Sequence, residues 1–257
     1  MKKALTIAGS DNSGGAGVQA DLKVFKDFSV FGLSAITSIT VQNSQAVYEV
    51  IPVSSKVLYN QIKAIAEDTK IDAVKIGMIL TKENVNAIYQ AIKDFNLKNI
   101  VLDTVIKSSS GKYLLEENAI KDFKTKLLPL VDLITPNKLE AEVLTGIKIN
   151  NLEDLENACI KLHKIGAKNI YLKGGHFDFK NQVIDIFFNG KKFIHLIYPK
   201  VKVKNVHGTG CVLSSAITAN LANKKSLEKS IKIARAYIQQ KIEDSFKFGK
   251  GYFYMKL

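Results

Sequence analysis

Residues 205–216 read NVHGTGCVLSSA, a short glycine-punctuated turn that runs directly into an apolar helical pattern. A helix that begins at such a turn aims free backbone N–H groups and the positive end of its dipole at one point. That point attracts an anion, or a negative charge that develops during a reaction. Cys211 falls on the first predicted turn, where the dipole favours a thiolate. We therefore expect an anion site at 208–211; the alternative is a buried core cysteine at a glycine-rich helix start.

Around this stretch, short β-rich runs alternate with amphipathic helical patterns. Such alternation predicts a mostly parallel sheet covered by helices on both faces. No linker rich in Pro, Gly or Ser divides the 257 residues, so we expect a single three-layer αβα domain over 1–257. Strands are predicted at 4–8, 34–42, 47–53, 73–76, 100–103, 133–135, 169–173, 183–188 and 192–198. Helices are predicted at 16–28, 54–68, 82–95, 116–128, 138–144, 152–165, 211–222 and 226–245.

The composition of the chain argues against several classes of function. The formal net charge is +13, but the lysines are spread over seven of the eight predicted helices, which indicates a solvated surface rather than a nucleic-acid stripe. No apolar run approaches the roughly 20 residues needed to span a bilayer. The two cysteines are far apart and lack metal-ligand spacing, which is typical of the reduced cytoplasm. We expect a cytoplasmic protein that binds small molecules, and neither nucleic acid nor membranes.

Polar residues and glycines repeatedly follow the predicted strands, as Gly9, Gln42, Asp103 and Lys173 do. In open parallel sheets, ligands bind at the carboxyl ends of the strands. The order of these residues along the chain therefore predicts one shared cleft. Asp21, on the first predicted helix, is expected to face the same cleft.

Two strand ends carry candidate metal ligands. Asn137 and Glu140 are three residues apart, so at a helix start they share a face. Their oxygens suit Mg²⁺, but the same pair equally fits an ordinary capping box. Asp103 ends a buried apolar strand, and a second contact to Mg²⁺ or to water is the functional interpretation of its carboxylate.

Two loops are candidates for phosphate binding. Lys173 ends a strand beside two glycines, where its amine can reach a nucleotide phosphate. His176 follows them, and its simpler interpretation is a histidine that hydrogen-bonds a loop carbonyl. Residues 9–17 read GSDNSGGAG; no Gly-Lys-Ser/Thr ends this loop, so it is not a P-loop.

Taken in order, these motifs resemble those of the ribokinase-like superfamily of small-molecule kinases. In detail they are similar to its hydroxymethylpyrimidine/phosphomethylpyrimidine kinase branch, and the resemblance covers nearly the whole chain. The motifs that carry it are AGSDNSGGAGVQADLK (8–23), KIGM (75–78), VLDTV (101–105), ITPNKLEA (134–141), LKGGH (172–176), HGTGC (207–211) and FGKG (248–251).

The resemblance implies a fold, a reaction and a set of site residues. It implies ATP- and Mg²⁺-dependent phosphorylation of 4-amino-5-hydroxymethyl-2-methylpyrimidine and then of its monophosphate. Cys211 would orient or deprotonate the acceptor hydroxyl, beside an anion hole formed by Gly208, Thr209 and Gly210. The acceptor residues would be Gly9, Asp21, Gln42, Met78 and Val105. The ATP contacts would be Lys173, Thr209 and Asp103, and the Mg²⁺ pair would be Asn137 and Glu140.

Some alternatives stay open at this point. A pyridoxal kinase of the same superfamily would also phosphorylate a hydroxymethyl group on a flat heterocycle, and one enzyme can have both activities. Gln42 favours the aminopyrimidine, because an amide can accept from an exocyclic amine and donate to a ring nitrogen. A non-catalytic pyrimidine-binding protein is a further alternative. The sequence departs from this branch at one place, because Lys107 stands two positions earlier than the corresponding lysine. The family resemblance also implies a homodimer.

Overall fold

A largely parallel sheet organises the computed structural model, which describes residues 1–107, 113–175, 181–202, 205–247 and 249–257. Within these residues, nine strands form one sheet in the order β3-β2-β1-β4-β5-β6-β7-β8-β9. The strands are β1 (Lys2–Asp11), β2 (Val30–Gln42), β3 (Val47–Pro52), β4 (Ala73–Ile76), β5 (Ile100–Leu102), β6 (Leu133–Ile134), β7 (Ile170–Leu172), β8 (Gln182–Phe188) and β9 (Phe193–Pro199).

Six neighbouring strands of the sheet run parallel to one another: β2, β1, β4, β5, β6 and β7. Strands β3, β8 and β9 run antiparallel to their neighbours. The hairpin predicted from Asn189–Gly190 joins β8 to β9, and Gly190 adopts the positive φ of 82° that such a turn requires. Because the parallel strands point the same way, their carboxyl ends meet at one edge of the sheet. That edge carries the cleft predicted from the sequence.

Helices cover both faces of the sheet, as the alternating pattern predicts. They are α1 (Gly17–Asp27), α2 (Ser55–Asp68), α3 (Lys82–Asp94), α4 (Ile120–Asp122), α5 (Lys138–Thr145), α6 (Leu152–Ile165), α7 (Thr209–Ala222) and α8 (Leu227–Glu243). Helices α1, α7 and α8 pack on one face, and the others contribute to the core on the opposite face. The three-layer αβα arrangement is therefore confirmed. Among the described helices, none combines the length and apolarity needed to cross a bilayer.

The helix predicted over 116–128 is wrong in its detail. The structure has a 3₁₀ turn at Glu117–Ala119, one α turn in α4 and a π turn at Phe123–Leu127. The N–H of Leu128 donates to the carbonyl of Phe123, five residues earlier, at 3.3 Å. This wide turn accommodates one extra residue, and Leu127 and Leu128 at its end are both buried.

The C-terminal tail adds a small second sheet that the sequence did not indicate. Strands β10 (Val206–His207) and β11 (Phe253–Tyr254) pair in parallel beside the start of α7. The tail also crosses the loop after β2, where a Cβ on Gly251 would lie 1.8 Å from the backbone oxygen of Ser44. Only glycine permits so close a crossing, so this tail forms a wall at the end of β2.

Candidate active site

A cavity of about 670 Å³ opens at the carboxyl edge of the sheet, where the amino end of α7 meets the strand ends. It brings together residues from motifs that are up to 200 positions apart in the sequence. The predicted site residues that line it are Gly9, Gln42, Met78, Asp103, Val105, Asn137, Glu140, Lys173, Gly208, Thr209, Gly210 and Cys211. The sequence thus predicts the clustering correctly for every one of them.

The turn before α7 has the geometry that the opening motif predicts. Gly208 adopts a left-handed conformation (φ 78°, ψ 9°), and a Cβ there would lie 2.0 Å from the backbone oxygen of Gly15. Glycine is therefore required at this position. In the described part of the chain no side chain caps α7, and its first turn carries no acidic residue. The N–H groups of Thr209, Gly210 and Cys211 consequently lie at the cavity without partners inside the helix.

Lys173 and Asp103 form an ion pair directly against the start of α7. Nζ of Lys173 lies 3.2 Å from Oδ1 of Asp103, which also accepts a hydrogen bond from the Thr135 hydroxyl at 3.1 Å. A Cβ on Gly210 would lie 3.1 Å from Oδ2 of Asp103 and 3.3 Å from the Lys173 amine. Burial alone would lower the pKa of Lys173, but the carboxylates of Asp103 and Glu140 outweigh it and raise the pKa. The lysine therefore stays charged at the anion site.

Asn137 and Glu140 form a capping box at the start of α5. The N–H of Glu140 donates to Oδ1 of Asn137 at 3.0 Å, and the N–H of Asn137 donates to Oε2 of Glu140 at 2.8 Å. Thr104 donates to the same carboxylate oxygen at 2.9 Å. Burial, opposed by Lys173 and reinforced by the negative Asp103, raises the pKa of Glu140 to about 7. The pair thus has the structural role that the sequence allowed, and it also lines the cavity.

The expected thiolate at Cys211 is wrong. Burial raises the pKa of the Cys211 thiol to about 11, because desolvation exceeds the opposing effect of the nearby Lys75 amine. The negative charges of Asp21 and Asp103 add to this rise. The position of Cys211 on the first turn predicts the effect of the helix dipole, but neither the burial of the thiol nor the two carboxylates beside it. Cys211 is therefore a neutral thiol at neutral pH.

Asp21 does not face the cavity, contrary to the prediction. It is 0% exposed and binds Nζ of Lys75 through both carboxylate oxygens, at 2.9 and 2.7 Å. The hydroxyls of Thr6 and Ser215 donate to the same carboxylate at 2.6 and 2.7 Å. With four hydrogen bonds from three donor groups inside the protein, this aspartate ties α1 to β1, β4 and α7. The sequence argument missed Lys75, whose side chain lies on the same buried side.

Elsewhere in the cavity lining, Gly9 lies against Met78, and a Cβ on this glycine would lie 2.4 Å from the Met78 methyl group. Gln42 stands beside His207, with 3.4 Å between the Gln42 amide nitrogen and Nε2 of the imidazole. The same Nε2 lies 3.0 Å from Oδ2 of Asp11. Sequence reasoning missed Asp11 and His207, although each belongs to a motif that it quoted. The histidine directly before the Gly-Thr-Gly was the signal available for this pairing.

Three sequence predictions lie outside the described residues. They are the role of His176, the loop between Lys107 and Tyr113, and Phe248 of the C-terminal motif.

The chain has relatives among known proteins. The family model described as phosphomethylpyrimidine kinase matches residues 11–256. The chain is 47% identical to a hydroxymethylpyrimidine/phosphomethylpyrimidine kinase of Aquifex aeolicus, over 97% of each chain.

Two solved structures show the same ribokinase-like fold. The phosphomethylpyrimidine kinase of Clostridium difficile is 40% identical, with a TM-score of 0.83 over 93% of this chain and 99% of that one. The pyridoxal kinase of Bacillus subtilis, solved as an ADP complex, is 33% identical, with a TM-score of 0.92 over 100% and 97%. On the family match and these identities, the chain belongs to the phosphomethylpyrimidine kinase family.

Proposed function

We propose that this protein transfers the γ-phosphoryl group of ATP to the hydroxymethyl oxygen of 4-amino-5-hydroxymethyl-2-methylpyrimidine, and then phosphorylates the monophosphate. One observation carries the proposal. The uncapped start of α7 lines the same cavity as the Lys173–Asp103 pair and as Gly9, Met78 and Gln42. Phosphoryl transfer needs such positioning and charge stabilisation more than covalent chemistry.

The donor end of the cavity has the charges that a triphosphate requires. The N–H groups at 209–211 point at the transferred phosphoryl group and stabilise the charge on its oxygens. Lys173 neutralises charge on the donor phosphates, since its amine lies at the same helix end and stays protonated. A structural relative, the pyridoxal kinase of Staphylococcus aureus, was solved in complex with AMP-PCP, which supports ATP as the phosphoryl donor.

A Mg²⁺ ion fits the donor set at the junction of α5 and β5. Glu140 is a buried carboxylate whose pKa rises in part because Asp103 is also negative, so a cation between them would relieve the repulsion. Oxygens of Glu140 and Asp103 would hold the ion, partly through water, while Asn137 keeps Glu140 in place. When bound, the ion supplies positive charge to the donor phosphates.

Cys211 acts as a neutral thiol in the resting enzyme and orients the acceptor hydroxyl. With a pKa of about 11, it is protonated at neutral pH and is not poised to remove a proton before ATP binds. Replacing Cys211 with Ala tests this role, with the binding of an ATP analogue measured by calorimetry beside turnover. Lost turnover with retained nucleotide binding supports the role, and unchanged turnover refutes it.

Phosphorylation of pyridoxal is the second candidate. It rests on the similarity to a pyridoxal kinase structure, with a TM-score of 0.92 over the whole chain. Gln42 favours the aminopyrimidine, because its amide NH₂ group can donate to a ring nitrogen. An ATP-consumption assay with the pyrimidine alcohol, its monophosphate and pyridoxal in parallel separates the two activities. Turnover of pyridoxal alone would contradict the proposal, and binding of the pyrimidine without ATP consumption would indicate a non-catalytic binding protein.

We also propose that the protein is a homodimer that pairs through the outer face of β2 and β3. Ile39 and Ile51 are cross-strand partners on this face and are 50% and 48% exposed. Val41 extends the same apolar surface and is 45% exposed. Light scattering on the wild type and on Ile39→Glu tests the assignment, with a dimer expected for the first and a monomer for the second. A monomeric wild type would refute it.

A further inference from the structure

Gln42 stands in a chain of three polar side chains that none of the motif assignments explains. Its amide faces Nε2 of His207 at 3.4 Å, and that nitrogen lies 3.0 Å from Oδ2 of Asp11. Asp11 ends β1, Gln42 ends β2, and His207 directly precedes the Gly208 turn. These three side chains therefore connect the ends of β1 and β2 to the start of α7 at the cavity.

The charge on Asp11 determines which nitrogen of His207 carries a proton. Asp11 accepts hydrogen bonds from the N–H and hydroxyl of Ser13, both at 2.7 Å, and from the N–H of Ala16 at 2.8 Å. Burial alone would raise the pKa of Asp11, but the hydrogen bonds from His207 and Ser13 outweigh it and hold the pKa well below its usual value. An ionised carboxylate offers only lone pairs. The Nε2 atom that faces it therefore carries a hydrogen and donates.

The proton on Nε2 in turn determines the direction of the Gln42 amide. A protonated Nε2 cannot accept a hydrogen bond, so an amide NH₂ turned toward it would place two donors face to face. The oxygen and nitrogen of an amide are assigned from the surrounding hydrogen bonds. With Oε1 toward the imidazole, the contact becomes favourable, and the NH₂ group is turned to the cavity that Gln42 lines.

We propose that His207, held by Asp11, is a positioning residue that fixes the Gln42 carboxamide with its NH₂ toward the acceptor, and so selects heterocycles that present a ring-nitrogen lone pair there. This inference rests on the proposed acceptor role of Gln42. His207 is itself held on its other side by the tail, with its ring centroid 5.4 Å from that of Tyr254. The device is thus built from the end of β1, the turn before α7 and the C-terminal wall.

A double-mutant cycle tests whether His207 acts through Gln42. His207→Phe keeps a ring against Tyr254 and removes Nε2; we expect it to raise the KM for the pyrimidine about 10-fold, the effect of losing about 1.4 kcal/mol of binding. The KM for ATP and kcat should change less than about 3-fold. In a Gln42→Ala background, the same substitution should change the pyrimidine KM less than about 2-fold. An undiminished effect in that background would show that His207 touches the acceptor directly and would overturn the proposal.

Two further variants separate positioning from folding. His207→Gln retains an N–H donor for Asp11, so it should bring the pyrimidine KM back to within about 3-fold of wild type. His195→Phe changes an exposed histidine that pairs with Glu156 on β9 and α6, and it should leave every kinetic constant unchanged. If the wild type phosphorylates no pyrimidine, that result contradicts the proposed function. The result of the double-mutant cycle, in contrast, contradicts only the role of His207.

A spectroscopic measurement tests the protonation state without any activity. Long-range ¹H–¹⁵N NMR of the wild type reports which imidazole nitrogens carry hydrogen, and the His207→Phe spectrum identifies the His207 signals among the four histidines. We expect a protonated Nε2 on His207. A bare Nε2 would remove the reason for the amide direction and would overturn the inference.

Discussion

Two aspartate–lysine pairs pack against α7, and they differ in what surrounds them. In the closed pair, Asp21 and Lys75 are both 0% exposed, and their side chains meet at 2.7 Å. In the open pair, Asp103 and Lys173 meet at 3.2 Å, and the lysine side chain is 19% exposed at the cavity. A serine of α7 lies beside each pair: the Ser215 hydroxyl donates to Asp21 at 2.7 Å, whereas the Ser214 hydroxyl donates to the Gly210 carbonyl at 2.9 Å and lies 3.4 Å from Asp103.

The difference shows how the same two side chains can serve structure or ligand binding. The closed pair uses both aspartate oxygens on the lysine, with Thr6 and Ser215 adding further donors, so its charges are compensated inside the protein. The open pair is longer and faces the cavity, so the lysine has hydrogens left for a ligand. We expect the closed pair to control stability and the open pair to control activity, and four experiments test that division.

The largest effect is expected from Lys75→Met. Removing the lysine leaves a buried, uncompensated carboxylate at Asp21, which should lower the free energy of unfolding by about 3–5 kcal/mol. Denaturant unfolding followed by circular dichroism measures it. A double variant, Lys75→Met with Asp21→Asn, removes the stranded charge and should recover part of the loss. A single variant as stable as the wild type would contradict the structural role of the closed pair.

Lys173→Met should act on activity instead. Removing one preorganised positive group at a developing charge costs about 10²–10³-fold in rate, and we expect that loss in kcat/KM for ATP. The free energy of unfolding should fall less than in Lys75→Met, because Asp103, although its side chain is only 2% exposed, lines the cavity and can be reached by water once the lysine is removed. Lys168→Met is the matched control. Lys168 is exposed, its amine lies 3.5 Å from Oδ1 of Asp132, and neither residue lines the cavity. Equal activity losses in the two variants would remove the distinction.

The pH dependence of stability should report the raised pKa of Glu140, which depends in part on the charges of the open pair. The pKa of Glu140 in the folded protein is raised to about 7, so the folded state binds its proton more tightly than the unfolded chain does. Stability should therefore fall as pH rises from about 5 to 7.5, by about 2 kcal/mol more in the wild type than in Glu140→Gln. Glutamine can still serve the capping box. Unfolding of metal-free protein at both pH values measures the difference, and parallel curves would contradict it.

The smallest effect is expected from Gly210→Ala. The new Cβ would crowd the open pair, at 3.1 Å from Asp103 and 3.3 Å from Lys173, so kcat/KM for ATP should fall about 10-fold, or about 1.4 kcal/mol. Alanine favours a helix over glycine by up to about 1 kcal/mol, so stability should hold or rise. Gly208→Ala provides the contrast, because its positive φ and the clash with Gly15 should lower stability. A Gly210→Ala variant with full activity would place the anion site elsewhere.

The two pairs also show how far sequence reasoning reaches in this protein. The strands, the parallel order and the collection of polar residues at one sheet edge follow from local pattern, and the structure has them. The closed pair could not be predicted, because 54 positions separate Asp21 from Lys75 and neither periodicity nor motif records their contact. The same gap contributes to the error at Cys211, whose pKa is raised first by burial and then by the carboxylates of Asp21 and Asp103 on other elements. The irregular turns at 117–127 also escape prediction, because apolar periodicity does not distinguish 3₁₀, α and π turns.

The adjacent serines of α7 have a consequence for how the helix can move. Successive residues on an α-helix point about 100° apart, and here Ser215 donates to Asp21 at 2.7 Å while the Ser214 hydroxyl lies 3.4 Å from Asp103. Rotation of the helix about its axis would break the Ser215 bond and separate Ser214 from Asp103. The N–H groups at its start therefore keep a fixed direction whether or not a phosphate is present. The anion site therefore needs little reorganisation energy during phosphoryl transfer.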